Sequence, residues 1–303
     1  MNYSRVFLAV FAFVASACQV PAKTPLVVFD SSKLGTIERN IRYCTMQNVP
    51  LKMDIYYPKT GKKPFPVVVY IHGGGWVEGT KDSVPEYVDV NALQELGFLT
   101  ASIEYRLAPQ YKFPAMIEDA RCAVRFLRAH ALEYNIDPAR FGAIGDSAGG
   151  HIVSLLGLVD DESEFDTGEF LNVSSRVQAV VDLYGPTNLE EKFARKLFFD
   201  PMEVFGTRDG TDPIFTEASP VHHVTPDDAA FLIIHGNKDT TVPPLQSRML
   251  LKALQEAGIP SELVIVTKAE HNLLETGLGP IDPSLDDLKV KIQQFWQKYL
   301  MGD

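Results

Sequence analysis

The sequence predicts an α/β protein with a mostly parallel, doubly wound β-sheet that has helices packed on both faces. Continuous apolar runs such as Val67–Ile71 and Leu99–Ile103 have the composition of parallel strands that are buried on both faces. Segments with helical spacing separate these runs. Repeated β-α units of this kind build a parallel sheet, and the functional residues of such sheets lie at the carboxyl ends of the strands.

The elements follow one another along the chain. Leu51–Tyr57 alternates in the manner of a half-buried strand, and Val88–Leu96 predicts a helix that ends at Gly97. Pro114 opens the next helix, which carries apolar residues at positions 117, 120, 124 and 127. The remaining predicted elements are the strand Phe141–Gly145 with the helix after it, the strands Val177–Leu183, Phe231–Ile234 and Leu263–Val266, and the helices Leu245–Ala257 and Leu288–Tyr299.

The first residues predict a signal for export. Arg5 precedes an apolar run, Val6–Val14, and small residues then lead to Cys18. This run is too short to span a bilayer. We expect residues 1–17 to be a signal peptide and 18–303 to form one secreted or periplasmic catalytic domain. Lipidation of Cys18 is the alternative, and it is the only membrane attachment that the sequence predicts.

Composition limits the function classes. The chain has 303 residues, 46% of them hydrophobic, and a formal net charge of −11, which argues against a nucleic-acid partner. No CxxC, HExxH or GxGxxG motif is present, so we predict no metal and no cofactor. We do not expect Cys44 and Cys122 to form a disulfide framework, and we expect Cys122 to pack as a small hydrophobic residue. The oligomeric state cannot be read from the sequence.

One long segment interrupts the alternation of strands and helices. From Thr187 to Pro220 the sequence predicts no strand, and the connection is long for a compact domain. A functional lid or cap over the site is one interpretation. A peripheral helix and loop without contact to substrate is the other.

The most informative motif is Gly145-Asp146-Ser147-Ala148-Gly149. It follows a short apolar strand and precedes a helix, which is the context of a nucleophile elbow. Glycines flank the serine because side chains next to so tight a turn would collide. Ser147 is therefore the predicted nucleophile.

A serine hydroxyl needs a base, and the base needs an acid that orients it. In this kind of fold the chain order is serine, acid, histidine. His271 follows the last predicted strand, and Asp239 follows the strand before it, so we predict these two as base and acid. Asp182, near the end of an earlier strand, is the rival acid, although its apolar surroundings favour a structural carboxylate.

A second motif predicts an oxyanion site. His72-Gly73-Gly74-Gly75-Trp76 follows the first buried strand, and consecutive glycines allow backbone N–H groups to approach a ligand oxygen. The N–H of the residue after the nucleophile, Ala148, completes such a site in acyl transfer. Trp76, Tyr105 and Tyr184 either line a substrate pocket or pack in the core.

These motifs resemble a known family. The chain resembles hormone-sensitive-lipase-type esterases of the α/β-hydrolase superfamily. The segments that carry the resemblance are His72–Trp76, Tyr105–Pro109, Phe113–Ala115 and Gly145–Gly150. That resemblance implies an α/β-hydrolase fold in which Gly74, Gly75 and Ala148 form the oxyanion hole. It also implies that Asp239 and His271 complete a triad with Ser147, and that His72, Gly73, Trp76 and Asp146 support the site.

The C-terminal half departs from that family. Three segments are more similar to a bacterial acetyl-xylan and feruloyl esterase-like branch. They are His235-Gly-Asn-Lys-Asp239, His271-Asn-Leu273 and Gly150-His151. We therefore expect a serine carboxylesterase for short-chain esters, with a small molecule or an oligosaccharide ester as its substrate. Acetyl-xylan or feruloyl esterase, amide hydrolase of the arylformamidase or peptidase kind, and a binding protein that has lost activity remain the alternatives.

Overall fold

The computed structural model describes residues 30–60, 64–161, 163–190 and 200–302. The predicted signal peptide 1–17, Cys18 and residues 191–199 of the predicted insertion lie outside this part of the chain. None of the helices in the described ranges combines the length and the apolar character that a bilayer span requires.

The described residues form a sheet of eight strands in the order β1-β2-β4-β3-β5-β6-β7-β8. The first two strands pair antiparallel to their neighbours, and all other pairs are parallel. This confirms the predicted α/β class. The strands are β1 Ile37–Met46, β2 Val49–Tyr56, β3 Phe65–Ile71, β4 Leu99–Ile103, β5 Ile136–Asp146, β6 Ala179–Leu183, β7 Ala230–Gly236 and β8 Ser261–Val266.

Helices cover both faces of the sheet. The α-helices are α1 Val90–Leu96, α2 Ala115–Ala129, α3 Ala131–Tyr134, α4 Ala148–Leu158, α5 Pro201–Val204, α6 Ile214–Glu217, α7 Leu245–Glu256 and α8 Leu285–Trp296. Helices α2, α4 and α7 contribute to the core on one face, and α1 and α8 contribute to the core on the other. Alternate residues of β3 enter the two cores, so the strand is apolar throughout, as its sequence indicated.

Strand β1 was missed by the sequence analysis. It lies at the edge of the sheet, and its pairing with β2 is interrupted at two irregularities, between Glu38 and Ile41 and between Arg42 and Cys44. Such irregularities break the alternation of apolar and polar residues by which a strand is recognised. No apolar run therefore marked this strand.

The expectation for the cysteines was wrong. Cys44 of β1 forms a disulfide with Cys122 of α2, with the Cα atoms 6.4 Å apart. The pairing was not predictable because β1 itself was not predicted, and it is β1 that packs against α2. Closing a loop between residues 78 positions apart stabilises the fold by about 4–5 kcal/mol in the chain-entropy account.

We call residues 200–222 the cap segment, and it contacts the body of the protein. Phe205 and Phe215 are buried, and the Phe113 N–H donates to the Val204 carbonyl at 2.8 Å. The end of the cap segment contacts the start of the insertion, where the Val221 N–H donates to the Thr187 carbonyl at 3.1 Å. The described part of the insertion is thus packed on the sheet domain, beside the loop that follows β3.

Candidate active site

Four strands bring the predicted residues to one edge of the sheet. Because β3, β5, β7 and β8 run parallel, the segments that follow them leave from the same edge. Residues 72–76, which we call the glycine loop, follow β3. Ser147 follows β5, Asp239 comes shortly after β7, and His271 comes shortly after β8.

Ser147 lies at a tight turn between β5 and α4. Its φ of 51° is in the left-handed region, which a residue with a side chain adopts only at a cost. The Ser147 N–H donates to the Leu183 carbonyl at 2.9 Å and fixes the turn on β6. Glycine is required on both sides: a Cβ on Gly145 would lie 2.4 Å from the Gly149 oxygen, and one on Gly149 would lie 2.0 Å from the Ile71 oxygen.

His271 connects the serine to an acid. Its Nε2 lies 3.0 Å from Ser147 Oγ, and its Nδ1 lies 2.7 Å from Asp239 Oδ2. The imidazole is 15% exposed, whereas the Asp239 side chain is fully buried. The Tyr184 ring packs edge-on against the imidazole, with 4.9 Å between the ring centroids. The structure therefore brings together the three residues predicted as nucleophile, base and acid.

Asp239 is held ionised. Its Oδ1 accepts from the N–H groups of Thr241 at 2.9 Å and Val242 at 2.8 Å. Burial by itself raises the pKa of Asp239, but hydrogen bonds from His235 and His271 outweigh it and hold that pKa at about 2. A carboxylate can only accept hydrogen bonds, so Nδ1 of His271 carries the proton. Nε2 is then free to accept from the Ser147 hydroxyl.

His235 is a second histidine on the same carboxylate, and its contact was not predicted. Its Nε2 lies 3.2 Å from Asp239 Oδ2 and 2.8 Å from the Val242 carbonyl, while its Nδ1 lies 2.6 Å from the Ser247 hydroxyl. Two acceptors face Nε2, so Nε2–H donates to them, and Nδ1 accepts from Ser247. The signal that could have identified it is a polar residue near the end of the otherwise apolar strand β7.

Asp182, the rival acid, lies elsewhere. It is fully buried on β6, and its Oδ1 accepts from the Gly185 N–H at 2.8 Å. Burial raises the pKa of Asp182 to about 7, against the hydrogen bond from Gly185. Among the described residues its Oδ2 has no hydrogen-bond partner, and no hydrogen bond joins it to His271.

The glycine loop has an unusual backbone. Gly74, Gly75 and Trp76 have consecutive positive φ values of 110°, 59° and 63°. The Gly74 carbonyl accepts from the N–H groups of Val77 at 3.0 Å and Glu78 at 3.1 Å. Within the described ranges, no hydrogen bond uses the N–H of Gly74 or Gly75. Ala148 begins α4, so its N–H has no acceptor inside that helix.

His72 and Tyr105 support this loop from behind. Their rings stack with centroids 4.3 Å apart, and the Tyr105 hydroxyl donates to the His72 carbonyl at 3.1 Å. The His72 Nδ1–H donates to the Gly73 carbonyl at 2.7 Å. Burial lowers the pKa of His72 to about 4, so the imidazole is neutral near neutral pH.

Asp146 joins the glycine loop to the serine turn. Its Oδ1 accepts from the Tyr70 hydroxyl at 2.7 Å and from the Gly73 N–H at 3.2 Å. Burial raises the pKa of Asp146, and these hydrogen bonds oppose that shift. A Cβ on Gly73 would lie 2.4 Å from Asp146 Oδ2, so this approach requires glycine.

The aromatic residues that were candidates for a pocket belong to the core. Trp76, Tyr105 and Tyr184 are 2%, 4% and 0% exposed. The Trp76 indole N–H donates to His151 Nδ1 at 3.2 Å. His151 was noted in the sequence only as part of a motif, and its contact with Trp76 was not predicted.

Acidic residues gather at one place away from the serine. Asp160, Asp227 and Asp228 are, among the described residues, close enough to share a cation. The Arg176 guanidinium already contacts all three, at 3.1 Å from Asp227 and 3.7 Å from Asp228. This arginine supplies the positive charge that the cluster needs.

Comparisons with known proteins agree with this architecture. The esterase LipC of Mycobacterium tuberculosis H37Rv is 32% identical over 198 residues, which are 64% of this chain and 49% of LipC. The chain spans about half the length of curated relatives such as LipC, LipM and LipQ of the same organism.

Two solved structures share the fold. A truncated carbohydrate esterase from gut microbiota superposes with a TM-score of 0.72 at 24% identity. The superposition covers 89% of this chain and 100% of that esterase chain. Esterase Est2 of Thermogutta terrifontis with butyrate bound has a TM-score of 0.71 at 25% identity, covering 90% of this chain and 98% of Est2.

The BD-FAE family matches residues 53–254. This range begins within β2 and ends within α7, and it includes the glycine loop, the serine turn and Asp239. Together with the eight-stranded sheet, the match shows that the chain belongs to the BD-FAE family of α/β hydrolases.

Proposed function

We propose that this protein is a serine carboxylic-ester hydrolase that acts on short-chain esters. The observation that carries the proposal is the continuous chain of hydrogen bonds from Ser147 through His271 to Asp239. A buried, ionised aspartate at one end fixes the tautomer of the imidazole. The nitrogen that faces the serine is therefore a base. The names of the relatives, such as esterase LipC, support the same activity.

Acylation begins at Ser147. Its Oγ forms a bond to the ester carbonyl carbon while His271 Nε2 takes the hydroxyl proton, and the carbonyl electrons move to oxygen. Asp239 stabilises the imidazolium that results. The carbon–oxygen bond to the alcohol then breaks, and His271 returns the proton to the departing oxygen. Water, activated by the same imidazole, releases the acid from the acyl-serine.

The oxyanion of the tetrahedral intermediate is bound, in this proposal, by the N–H groups of Gly74, Gly75 and Ala148. The support is that the N–H groups of Gly74 and Gly75 are unused within the described residues, and that Ala148 lies at the N-terminus of the 11-residue helix α4. The positive end of a helix dipole favours developing negative charge. Each such donor contributes roughly a hundred- to a thousandfold to turnover.

The acyl group is proposed to be short. The support is that Trp76, Tyr105 and Tyr184, the aromatic residues considered for an acyl pocket, are buried in the core. The butyrate bound by Est2 supports the same size class. An ester on a carbohydrate is the second candidate, because the gut-microbiota structure is described as a carbohydrate esterase and this chain matches its whole length.

Export is proposed on two grounds. The first 17 residues have the pattern of a signal peptide. The Cys44–Cys122 disulfide fits an oxidising compartment, since such bonds are rare in the cytosol.

Replacing the acid tests the mechanism with a matched control. Asp239→Asn keeps the shape of the side chain but favours the wrong tautomer of His271, so kcat is expected to fall by about ten-thousandfold. Asp182→Asn makes the same change at the rival carboxylate, which is already partly neutral at pH 7, and kcat should stay within about tenfold of the wild type. Initial rates with p-nitrophenyl acetate measure both. Equal losses in the two variants, or a larger loss at Asp182, would contradict the assignment.

A substrate panel tests the proposed acyl group and bond. We expect kcat/KM for p-nitrophenyl acetate or butyrate to exceed that for the octanoate by at least about tenfold, because a short pocket rejects the longer chain. Acetylated xylo-oligosaccharide and methyl ferulate test the carbohydrate alternative. A p-nitroanilide tests amide hydrolysis, and preference for the octanoate or the anilide would refute the proposed class.

The mass of the full chain expressed in a bacterial host tests the proposed location. Intact-mass analysis should find the first 17 residues removed and no free thiol at Cys44 or Cys122. A mass increase for a diacylglyceryl group on Cys18 would favour lipidation. An uncleaved N-terminus with two free thiols would contradict export.

A further inference from the structure

His151 lies at the meeting point of three parts of the site. It is one turn into α4, where its N–H donates to the Ser147 carbonyl at 3.0 Å, and it is fully buried. Its Nδ1 accepts from the Trp76 indole N–H at 3.2 Å. Its Nε2 lies 2.7 Å from the carbonyl of Ala218 in the cap segment. One imidazole therefore contacts the glycine loop and the cap segment from the helix that begins after the serine.

The two partners leave only one arrangement of protons. An indole N–H can only donate, and a carbonyl can only accept. Nδ1 of His151 is therefore the acceptor, and Nε2–H is the donor. Burial lowers the pKa of His151 to about 4, which agrees with a neutral ring. We call these two consecutive hydrogen bonds, from the Trp76 indole to His151 and from His151 to the Ala218 carbonyl, the relay.

Trp76 needs such an anchor. Its φ of 63° costs a residue with a Cβ about 1–2 kcal/mol. Its indole packs edge-on against His151, with 5.1 Å between the ring centroids, and against Phe205 of the cap segment at 5.8 Å. Gly75, whose N–H is assigned to the oxyanion, directly precedes Trp76. The backbone conformation of Trp76 and the position of the Gly75 N–H are therefore linked through one peptide bond.

The cap segment holds its end of the relay firmly. Ser219, next to Ala218, accepts from the Leu189 N–H at 2.7 Å and donates to the Phe215 carbonyl at 2.6 Å. Gln246 of α7 accepts from the N–H of Thr187 at 2.7 Å and of Asn188 at 2.6 Å. The Ala218 carbonyl is thus fixed to the sheet domain.

We propose that His151 is a positioning residue that couples the cap segment to the oxyanion donors, holding Trp76 and the adjoining glycines in their working arrangement. This inference rests on the proposed function. It makes the cap segment a structural part of the oxyanion site instead of a lid that moves independently. Trp76, His151 and Ala218 are buried, so we expect their effect to be on turnover and not on substrate affinity.

Variants of the relay test the inference. His151→Leu removes both hydrogen bonds and should lower kcat about tenfold to hundredfold, with KM changed by less than about threefold, since displaced oxyanion donors affect the transition state. His151→Gln again offers one acceptor and one donor and should recover much of that loss. All rates are expressed per active site, titrated to completion with a fluorophosphonate, so that a misfolded fraction does not count.

Two tryptophans provide the control. Trp76→Phe removes the donor to His151, whereas Trp296→Phe removes an equally buried indole whose Nε1 has no hydrogen-bond partner among the described residues. Both should lower the melting temperature, but only Trp76→Phe should lower kcat per active site. Equal kcat values in all variants would overturn the inference alone. Absence of any hydrolysis of p-nitrophenyl acetate by the wild type would overturn the proposed function and this inference with it.

Discussion

The site depends on the close approach of two backbones, where the Ile71 oxygen lies so near Gly149 that a Cβ there would be 2.0 Å away. Ile71 ends β3 and leads into the glycine loop, while Gly149 is in the first turn of α4. The same crowding excludes a side chain at Gly73, which touches Asp146. Two segments distant in sequence are therefore held together by main-chain contact. The serine and the N–H groups assigned to the oxyanion keep their relative positions because no side chain separates them.

The site also depends on how its buried charge is compensated. Asp239 is a buried carboxylate, and four donors compensate for the loss of water: two backbone N–H groups and two imidazoles. Burial lowers the pKa values of His72 and His151, so neither imidazole adds a positive charge near the buried Asp239 carboxylate. Hydrogen bonds in such a low-dielectric setting are strong when satisfied and costly when broken. That is why the partners of these histidines matter as much as the histidines.

Much of the sheet and the three central residues could be predicted from sequence. The buried strands are continuous apolar runs, and Ser147, Asp239 and His271 follow strand ends in a fixed order. Strand β1 could not be predicted, because its irregular pairing destroys the alternating pattern, and the Cys44–Cys122 bond was lost with it. The contacts of His235 and His151 depend on loops that meet only in three dimensions. A histidine within an apolar run indicates a buried polar contact, but the sequence does not identify the residue that it contacts.

The central claim is that Ser147 is the nucleophile, and covalent labelling tests it most directly. The protein is treated with a fluorophosphonate, and the modified peptide is identified by mass spectrometry, with Ser147→Ala as the control. The account predicts one phosphonate per chain, attached to the peptide that contains Ser147, loss of esterase activity in proportion to labelling, and no adduct in the variant. Labelling of a different residue, or full esterase activity in Ser147→Ala, would contradict it.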